Sequence, residues 1–154
     1  MLEELISSGF GEDEDYNCAE KIFYGANIAY GLQMDNRYGH LLASYGGGMG
    51  VEHLCGAVAA GVAILGYMFI ENIAHEGETI KRLTGEFIER YREEMGDILC
   101  KPLKDSYRTD ETQCFDVIVK AAEILDDIVL RERNYITKPM SLNNKKTSVF
   151  TDVF

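Results

Sequence analysis

Cysteine is the residue type in this 154-residue chain with the most distinctive chemistry, and it occurs four times, at Cys18, Cys55, Cys100 and Cys114. Thiolates bind zinc and iron–sulfur clusters, and two thiols can also exchange electrons as a dithiol/disulfide pair. The gaps between successive cysteines are 37, 45 and 14 residues, without the close C-x-x-C pair of most zinc and ferredoxin signatures. Spacing alone therefore leaves a metal site, a redox pair and four unrelated core cysteines as open alternatives.

A glycine-rich stretch, GGGMG at residues 46–50, precedes the second cysteine. Glycine lets the backbone turn tightly and approach a ligand closely, and successive backbone N–H groups can then face an anion. The candidate backbone donors to cluster sulfurs or to a nearby anion are Gly46, Gly47, Gly48, Met49 and Gly50. The stretch follows no strand, so it does not form a dinucleotide-binding fingerprint.

The central helix is predicted from a run of 17 uncharged residues, 54–70. Small residues stand four apart at Gly56 and Ala60 and again at Ala57 and Gly61, which lets neighbouring helices approach closely. A membrane span is the alternative, but 17 residues is the lower end of the roughly 17–25 that a span needs. The flanks also carry no Lys or Arg to orient a span. We therefore expect a buried core helix.

The other cysteines lie near helix starts or in connections. Asn17 and Glu20 form a capping-box pattern, which makes Cys18 the first residue of a helix that ends near Tyr30. A helix start favours the Cys18 thiolate, whereas the carboxylates at residues 13–15 oppose it. Three further helices are predicted. The first is short and is capped by Asp35 or Asn36, and the second is amphipathic, runs from Glu78 to Met95 and ends at Gly96. The third is long and follows Asp110 and Gln113, with Cys114 in its first turn.

Cys100 lies between the predicted end of the amphipathic helix and Pro102, which disfavours a quick helix restart. We therefore predict that Cys100 lies in a loop. Loops carry functional residues more often than packing residues, so Cys100 is the preferred exposed nucleophile for thiol chemistry.

Length and composition predict one compact domain, and the helical patterns make it an all-α bundle over residues 1–133, followed by an extended tail over residues 134–154. The net charge of −11 repels nucleic acid and anionic lipid, so we expect neither as a partner. The amino-terminal sequence MLEELISSGF has no signal-peptide pattern, so we expect a cytoplasmic protein with reduced cysteines. The apolar end of the tail could dock on its own domain or on a second subunit, and we expect a homodimer.

The ordered motifs NCAE (17–20), GGGMG (46–50), CGAVAAG (55–61), a third cysteine after a helix and QCFDVIVKAA (113–122) resemble the C_GCAxxG_C_C family. Members of this family are described as redox-active, and the resemblance covers roughly residues 10–130. It implies that the four family cysteines correspond to Cys18, Cys55, Cys100 and Cys114. A related helical region occurs in split-Soret cytochromes, where an iron–sulfur site has been proposed. The chain has no C-x-x-C-H, so haem attachment does not carry over.

Three functions follow as hypotheses. Our principal expectation is a redox or electron-transfer protein with an unknown redox partner, in which the four cysteines ligate an iron–sulfur cluster beside the glycine stretch. The second is thiol–disulfide chemistry by Cys100 and Cys55. The third is a non-catalytic binding module with a structural zinc or none. In that module, a small-molecule pocket would be lined by His40, Tyr45, Met49 and Tyr67. Carboxylate catalysis is not indicated, because the Asp and Glu residues fall on solvent faces.

Overall fold

The computed structural model describes residues 1–137, except for the side chains of Glu76 and of residues 135–137. This part of the chain contains seven α-helices: α1 Leu2–Ser7, α2 Cys18–Ala29, α3 Gly39–Ala43, α4 Gly56–Phe69, α5 Thr79–Met95, α6 Cys100–Tyr107 and α7 Phe115–Thr137. Over the same residues there is no strand, only two isolated antiparallel bridges, Leu54 with Leu99 and Thr109 with Gln113. The predicted all-α fold is confirmed.

Helix α4 lies at the centre of the bundle and packs against α2, α5 and α7. Its small residues allow this close packing: a Cβ added at Gly61 would lie 2.5 Å from Cζ of Phe87 on α5. The predicted buried small-residue helix is therefore confirmed. None of the helices in residues 1–137 combines the length and apolar character that a membrane span requires.

Helix α5 is amphipathic as predicted, and its buried stripe recurs every four residues at Leu83, Phe87, Tyr91 and Met95. Gly96 ends the helix in the left-handed conformation at φ 84°. On the solvent side, α5 and α7 are joined by ion pairs, Glu86 with Arg131, Arg82 with Glu132 and Arg90 with Asp127.

The amino-terminal residues, for which the sequence left a helix or a loose arm open, form helix α1. The carboxylate of Asp126 on α7 is buried and accepts hydrogen bonds from the N–H groups of Leu2 and Glu3, both at 3.0 Å. Its Oδ1 also accepts a hydrogen bond from the Tyr30 hydroxyl at 2.9 Å. Asp126 therefore satisfies the free N–H groups of α1 and fixes this helix on α7 and α2.

Helix α7 differs from its prediction at both ends. The residues from Thr109 to Gln113 form a bridged turn, so Asp110 does not cap the helix, which begins at Phe115. The helix then continues to Thr137, past residue 134, where the sequence predicted that the tail begins. The rest of the predicted tail, residues 138–154, lies outside the described residues, and the division into domain and tail stays a prediction.

Candidate functional site

All four cysteines line one cavity of about 600 Å³. Each of them stands at the start of a different helix: Cys18 and Cys100 are the first residues of α2 and α6, Cys55 caps α4, and Cys114 immediately precedes α7. A helix start exposes unpaired N–H groups and carries a partial positive charge of about half an elementary charge. The convergence of four helix starts therefore makes the cavity a favourable place for negative charge.

The start of α2 is held by the predicted capping box, which is confirmed. The Asn17 side-chain oxygen accepts hydrogen bonds from the N–H groups of Ala19 at 3.0 Å and Glu20 at 3.1 Å, and the Glu20 carboxylate accepts one from Asn17 N–H. The Asn17 amide also donates to the Ala43 carbonyl at 2.8 Å. Asn17 thus fixes Cys18 at the helix start and joins it to the segment that leads into the glycine stretch.

Cys55 and Cys100 are brought together by the antiparallel bridge between Leu54 and Leu99. The N–H of Cys55 donates to the Ile98 carbonyl at 2.9 Å, and the N–H of Cys100 donates to the His53 carbonyl. The two cysteines are therefore diagonal neighbours across this bridge rather than directly opposite each other.

The prediction that Cys100 lies in a loop is wrong, because Cys100 begins α6. Pro102 is the third residue of that helix, in the first turn, where the missing N–H has no intrahelical partner to lose. The expectation of an exposed nucleophile is also wrong, because only 7% of the Cys100 surface is exposed.

The glycine stretch keeps side chains away from the places where the cysteines approach the backbone. The residues at 47–50 have φ between 61° and 71°, a left-handed conformation that favours glycine. A Cβ added at Gly48 would lie 2.6 Å from the Cys100 Cβ, and one added at Gly56, at the start of α4, would lie 2.6 Å from the Cys18 sulfur. Cys100 and Cys18 can therefore approach the backbone this closely only because positions 48 and 56 are glycine.

The five predicted backbone donors of the stretch have different positions. Gly47 lines the cavity, and its backbone N–H favours the Cys18 thiolate. Gly46 packs against the Asn17 side chain, Gly48 is buried against Cys100, and Met49 and Gly50 are exposed. Gly47 is thus the one of the five on the cavity wall. The residues suggested for a small-molecule pocket, His40, Tyr45, Met49 and Tyr67, do not line this cavity.

Burial is the strongest influence on the pKa of three of the thiols, those of Cys18, Cys55 and Cys100. It raises the pKa of Cys55 to about 12, with a further rise from the neighbouring Cys18, although the N–H groups of Val58 and Ala57 oppose the shift. Burial and then the nearby Cys114 raise the pKa of Cys18, while the N–H groups of Gly47 and Ala19 lower it. The sequence predicted opposing effects of the helix start and nearby carboxylates on the Cys18 thiolate, but burial has the largest effect on the pKa of Cys18. Without a compensating positive charge, these sulfurs stay protonated at neutral pH.

The cavity also contains charged side chains. Asp15 is one of the carboxylates expected near Cys18, whereas the sequence analysis missed Lys21, Lys104, Arg108, Glu12 and Glu111. Burial raises the pKa of Cys100, whereas the positive charges of Lys104 and Arg108 lower it. Cys100, Lys104 and Arg108 recur every four residues, so the two cations would have been found if the helix start at Cys100 had been recognised. Lys104 is held by the Glu52 carboxylate, at 3.0 Å.

As they lie, the side chains do not form a site for a single ion. Within residues 1–137 there is no group of three or more His, Cys, Asp or Glu side chains that could hold a metal ion, and all four cysteines are free thiols. Four sulfurs that bind one zinc at about 2.3 Å must lie within roughly 3.8 Å of one another. The cysteines therefore share a cavity without a closed single-ion cage.

Comparison with known families decides the broader identity. Residues 16–128, more than half of the chain and including all four cysteines, match the family described as "Putative redox-active protein (C_GCAxxG_C_C)". The chain belongs to the C_GCAxxG_C_C family. No curated protein and no solved structure matches the chain. Membership in this redox-active family agrees with the resemblance seen in the sequence, and the relation to split-Soret cytochromes stays a prediction.

Proposed function

We propose that this protein is a redox or electron-transfer protein in which Cys18, Cys55, Cys100 and Cys114 ligate an iron–sulfur cluster. The observation that carries the proposal is the convergence of these four cysteines, each from a different helix start, on one cavity of about 600 Å³. When bound, such a cluster supplies one-electron transfer.

The donor set is compatible with a cluster. Four thiols are a soft ligand set, which suits iron–sulfur clusters and zinc. Because a cluster contains several metal atoms, its protein ligands stand further apart than the ligands of one zinc. A cluster therefore does not require the single-ion cage that the described residues lack.

The charges around the cavity act in both directions. The four thiolates of a cluster site would bring negative charge, which helix starts and the cations Lys104 and Arg108 would stabilise, whereas the carboxylates Glu12, Asp15 and Glu111 would oppose it. Burial raises the pKa of Cys55 to about 12, so Cys55 would bind as a thiolate only if the metal compensated the buried negative charge.

The test is purification without oxygen, followed by iron and acid-labile sulfide analysis and an absorption spectrum. We expect a coloured protein with iron and sulfide in stoichiometric amounts, and loss of iron when any of the four cysteines is replaced by serine. His53→Ala is the matched control, because the His53 side chain is exposed and does not line the cavity. A colourless protein that stays free of iron after anaerobic reconstitution, with four titratable thiols, would exclude the proposal.

Thiol–disulfide chemistry between Cys55 and Cys100 is the second candidate, because one antiparallel bridge holds both residues. Diagonal positions across such a bridge are typically about 7–8 Å apart, more than the Cα separation of about 4.4–6.8 Å in disulfides. A direct bond would therefore require a backbone shift. Two observations would favour this candidate. Oxidation of the metal-free protein would remove thiols two at a time, and peptide mapping would find Cys55 and Cys100 linked by a disulfide. Stoichiometric zinc without a reducible centre would instead favour the structural-zinc module.

We further propose a cytoplasmic homodimer with an unidentified redox partner. Reduced thiols suit the cytoplasm, where the proposed ligands stay available for metal. Three apolar side chains that are each more than 60% exposed, Ile28, Leu41 and Val51, are candidates for a contact with a second subunit. Light scattering after size-exclusion chromatography would test the dimer, and a monomer mass would contradict it.

A further inference from the structure

A second groove lies at the end of α4 that is remote from the cysteines. It has a volume of about 430 Å³ and is formed by the last residues of α4, the connection over residues 70–78 and the helices α5 and α7. Helix α4 has 14 residues and is therefore ~21 Å long. No residue that lines this groove also lines the cysteine cavity, so the two sites are separate.

The wall of the groove is apolar on one side. Met68, Phe69 and Ile80 pack on the core but keep exposed surface, and Ile73 in the connection is 65% exposed. The polar side is already paired, because the Arg82 guanidinium lies 3.0 Å from the Glu132 carboxylate. An occupant would therefore be held mainly by the burial of apolar groups.

The chain itself contains a segment of matching chemistry. Residues 138–154 read KPMSLNNKKTSVFTDVF, a polar stretch followed by four apolar residues among the last six, Val149, Phe150, Val153 and Phe154. Phenylalanine is among the side chains that gain most from burial. The segment carries three Lys and one Asp, whereas the whole chain has a net charge of −11, so its charge is opposite to that of the domain. On the groove wall, the exposed Glu71 offers a carboxylate to these lysines.

The segment also begins beside the groove. Helix α7 ends at Thr137, and Glu132, five residues earlier, lines the groove. These five residues advance the helix by only ~7.5 Å, whereas residues 138–148 can span up to about 36–40 Å when extended. Residues 149–154 can therefore reach the groove of the same domain. A tethered segment has a high effective concentration, which favours the chain's own groove over that of a second copy.

We propose that the apolar end of the chain, residues 149–154, docks in this groove of its own domain, with its two phenylalanines against the apolar wall. The sequence alone left the chain's own domain and a second subunit as alternatives, and the short distance from the end of α7 favours the former. The docked segment covers the exposed Ile73 and lies away from the cysteines. The inference therefore does not depend on the iron–sulfur proposal.

The first test is site-specific photo-cross-linking in the 154-residue chain. Phe150→p-benzoylphenylalanine places a photoreactive group in the segment, and mass spectrometry of the irradiated protein maps where this group attaches. We expect an adduct within one chain to residues 68–80, at a yield that does not change when the protein is diluted. Attachment to another face of the domain, attachment to a second copy or the absence of an adduct would each overturn the inference.

Two isoleucines of nearly equal exposure give a matched comparison for this test. Ile73 and Ile28 are 65% and 63% exposed, but only Ile73 lines the groove. Ile73→Lys removes an apolar contact and places a positive charge beside a basic segment, so we expect a roughly tenfold lower yield of the adduct. Ile28→Lys should leave the yield unchanged. Equal yields in the two variants would overturn the inference.

The second test uses no photoreactive group. Methyl spectra of the isoleucines in the metal-free protein compare the wild type with Phe150→Ser/Phe154→Ser. Because an aromatic ring shifts the resonances of the methyl groups that it contacts, we expect the signals of Ile73 and Ile80 to move and that of Ile28 to stay. Unmoved signals of Ile73 and Ile80 would overturn the docking. Neither test requires iron, so a failure of the cluster proposal leaves both outcomes unchanged, and a failure of the docking leaves the cluster proposal intact.

Discussion

Replacement of Gly56 by alanine tests whether the close approach of Cys18 to α4 holds the site together. Gly56 is the first residue of α4, and an added Cβ would lie 2.6 Å from the Cys18 sulfur and 2.7 Å from the Tyr45 carbonyl oxygen. Real Cβ atoms do not occupy such positions, so the sulfur and the backbone must both move. The sulfur can move into the cavity, whereas the Tyr45 carbonyl belongs to the backbone and moves less easily.

The expected magnitude combines two opposing effects. Alanine has a higher helix propensity than glycine by about 1 kcal/mol, which favours the variant. Overpacking a buried site costs about 1–3 kcal/mol, and the upper part of that range applies here because one of the atoms in the way belongs to the backbone. We therefore expect Gly56→Ala to lower the free energy of unfolding by about 1–2 kcal/mol and to reduce the bound iron sharply.

Two other glycines provide matched controls for this variant. A Cβ added at Gly61 would lie 2.5 Å from the Phe87 ring, so Gly61→Ala should destabilise the core without moving a cysteine. A Cβ added at Gly85, an exposed position within α5, would meet nothing within 4 Å, so Gly85→Ala should stabilise the protein by about 0.5–1 kcal/mol.

Urea unfolding of the metal-free proteins gives the stability change, and iron content after anaerobic reconstitution gives the effect on the site. The reasoning predicts that Gly56→Ala loses more iron than Gly61→Ala at a similar loss of stability. A Gly56→Ala protein with full iron content and wild-type stability would refute it, as would equal iron loss in the two variants.

Asn17→Ala removes the cap of α2 and the hydrogen bond to the Ala43 carbonyl, so we expect the free energy of unfolding in urea to fall by about 1–2 kcal/mol. Asp35→Ala removes an exposed side chain that accepts a hydrogen bond from the Arg37 N–H, and it should leave the stability nearly unchanged. Arg131 lowers the pKa of Glu86, and Arg82 lowers that of Glu132, so these carboxylates stabilise the fold above their unfolded pKa of about 4.5 and lose that contribution as the pH falls below it. Unfolding followed from pH 6 to about pH 3 should therefore show a falling stability that is flatter in Glu86→Gln, and an unchanged slope would contradict the ion-pair account. In the metal-free protein, the half-buried Cys18 and Cys114 should react with an alkylating reagent before Cys55 and Cys100, which are 3% and 7% exposed; mass spectrometry that finds Cys100 fastest would contradict this order.

Local sequence signals predicted the elements whose causes are local. The capping box at Asn17, the amphipathic period of α5 and the left-handed Gly96 each depend on residues a few positions apart, and all three are present in the structure. The small-residue pattern of α4 also predicted close packing, since a glycine such as Gly61 leaves room for a ring of α5.

The sequence was misleading where the environment of a residue depends on distant segments. Pro102 is compatible with a break and also with the first turn of a helix, and the bridge between Leu54 and Leu99 places Cys100 at the start of α6. That bridge joins positions 45 residues apart, and no local pattern encodes it. The same non-local packing buries Cys100, and this burial is the largest influence on the pKa of its thiol.

The glycines beside the cysteines argue that the cavity is more than imperfect packing. A buried space in a helical core is most simply removed by larger side chains, because close packing of apolar groups stabilises the fold. Here the opposite is found: Gly48 and Gly56 bring bare backbone against Cys100 and Cys18. Gly56 does so within helix α4, where glycine costs up to about 0.5–1 kcal/mol relative to alanine. These positions keep Cys100 and Cys18 close to the backbone beside the cavity that all four cysteines line, which suits the proposed cluster site.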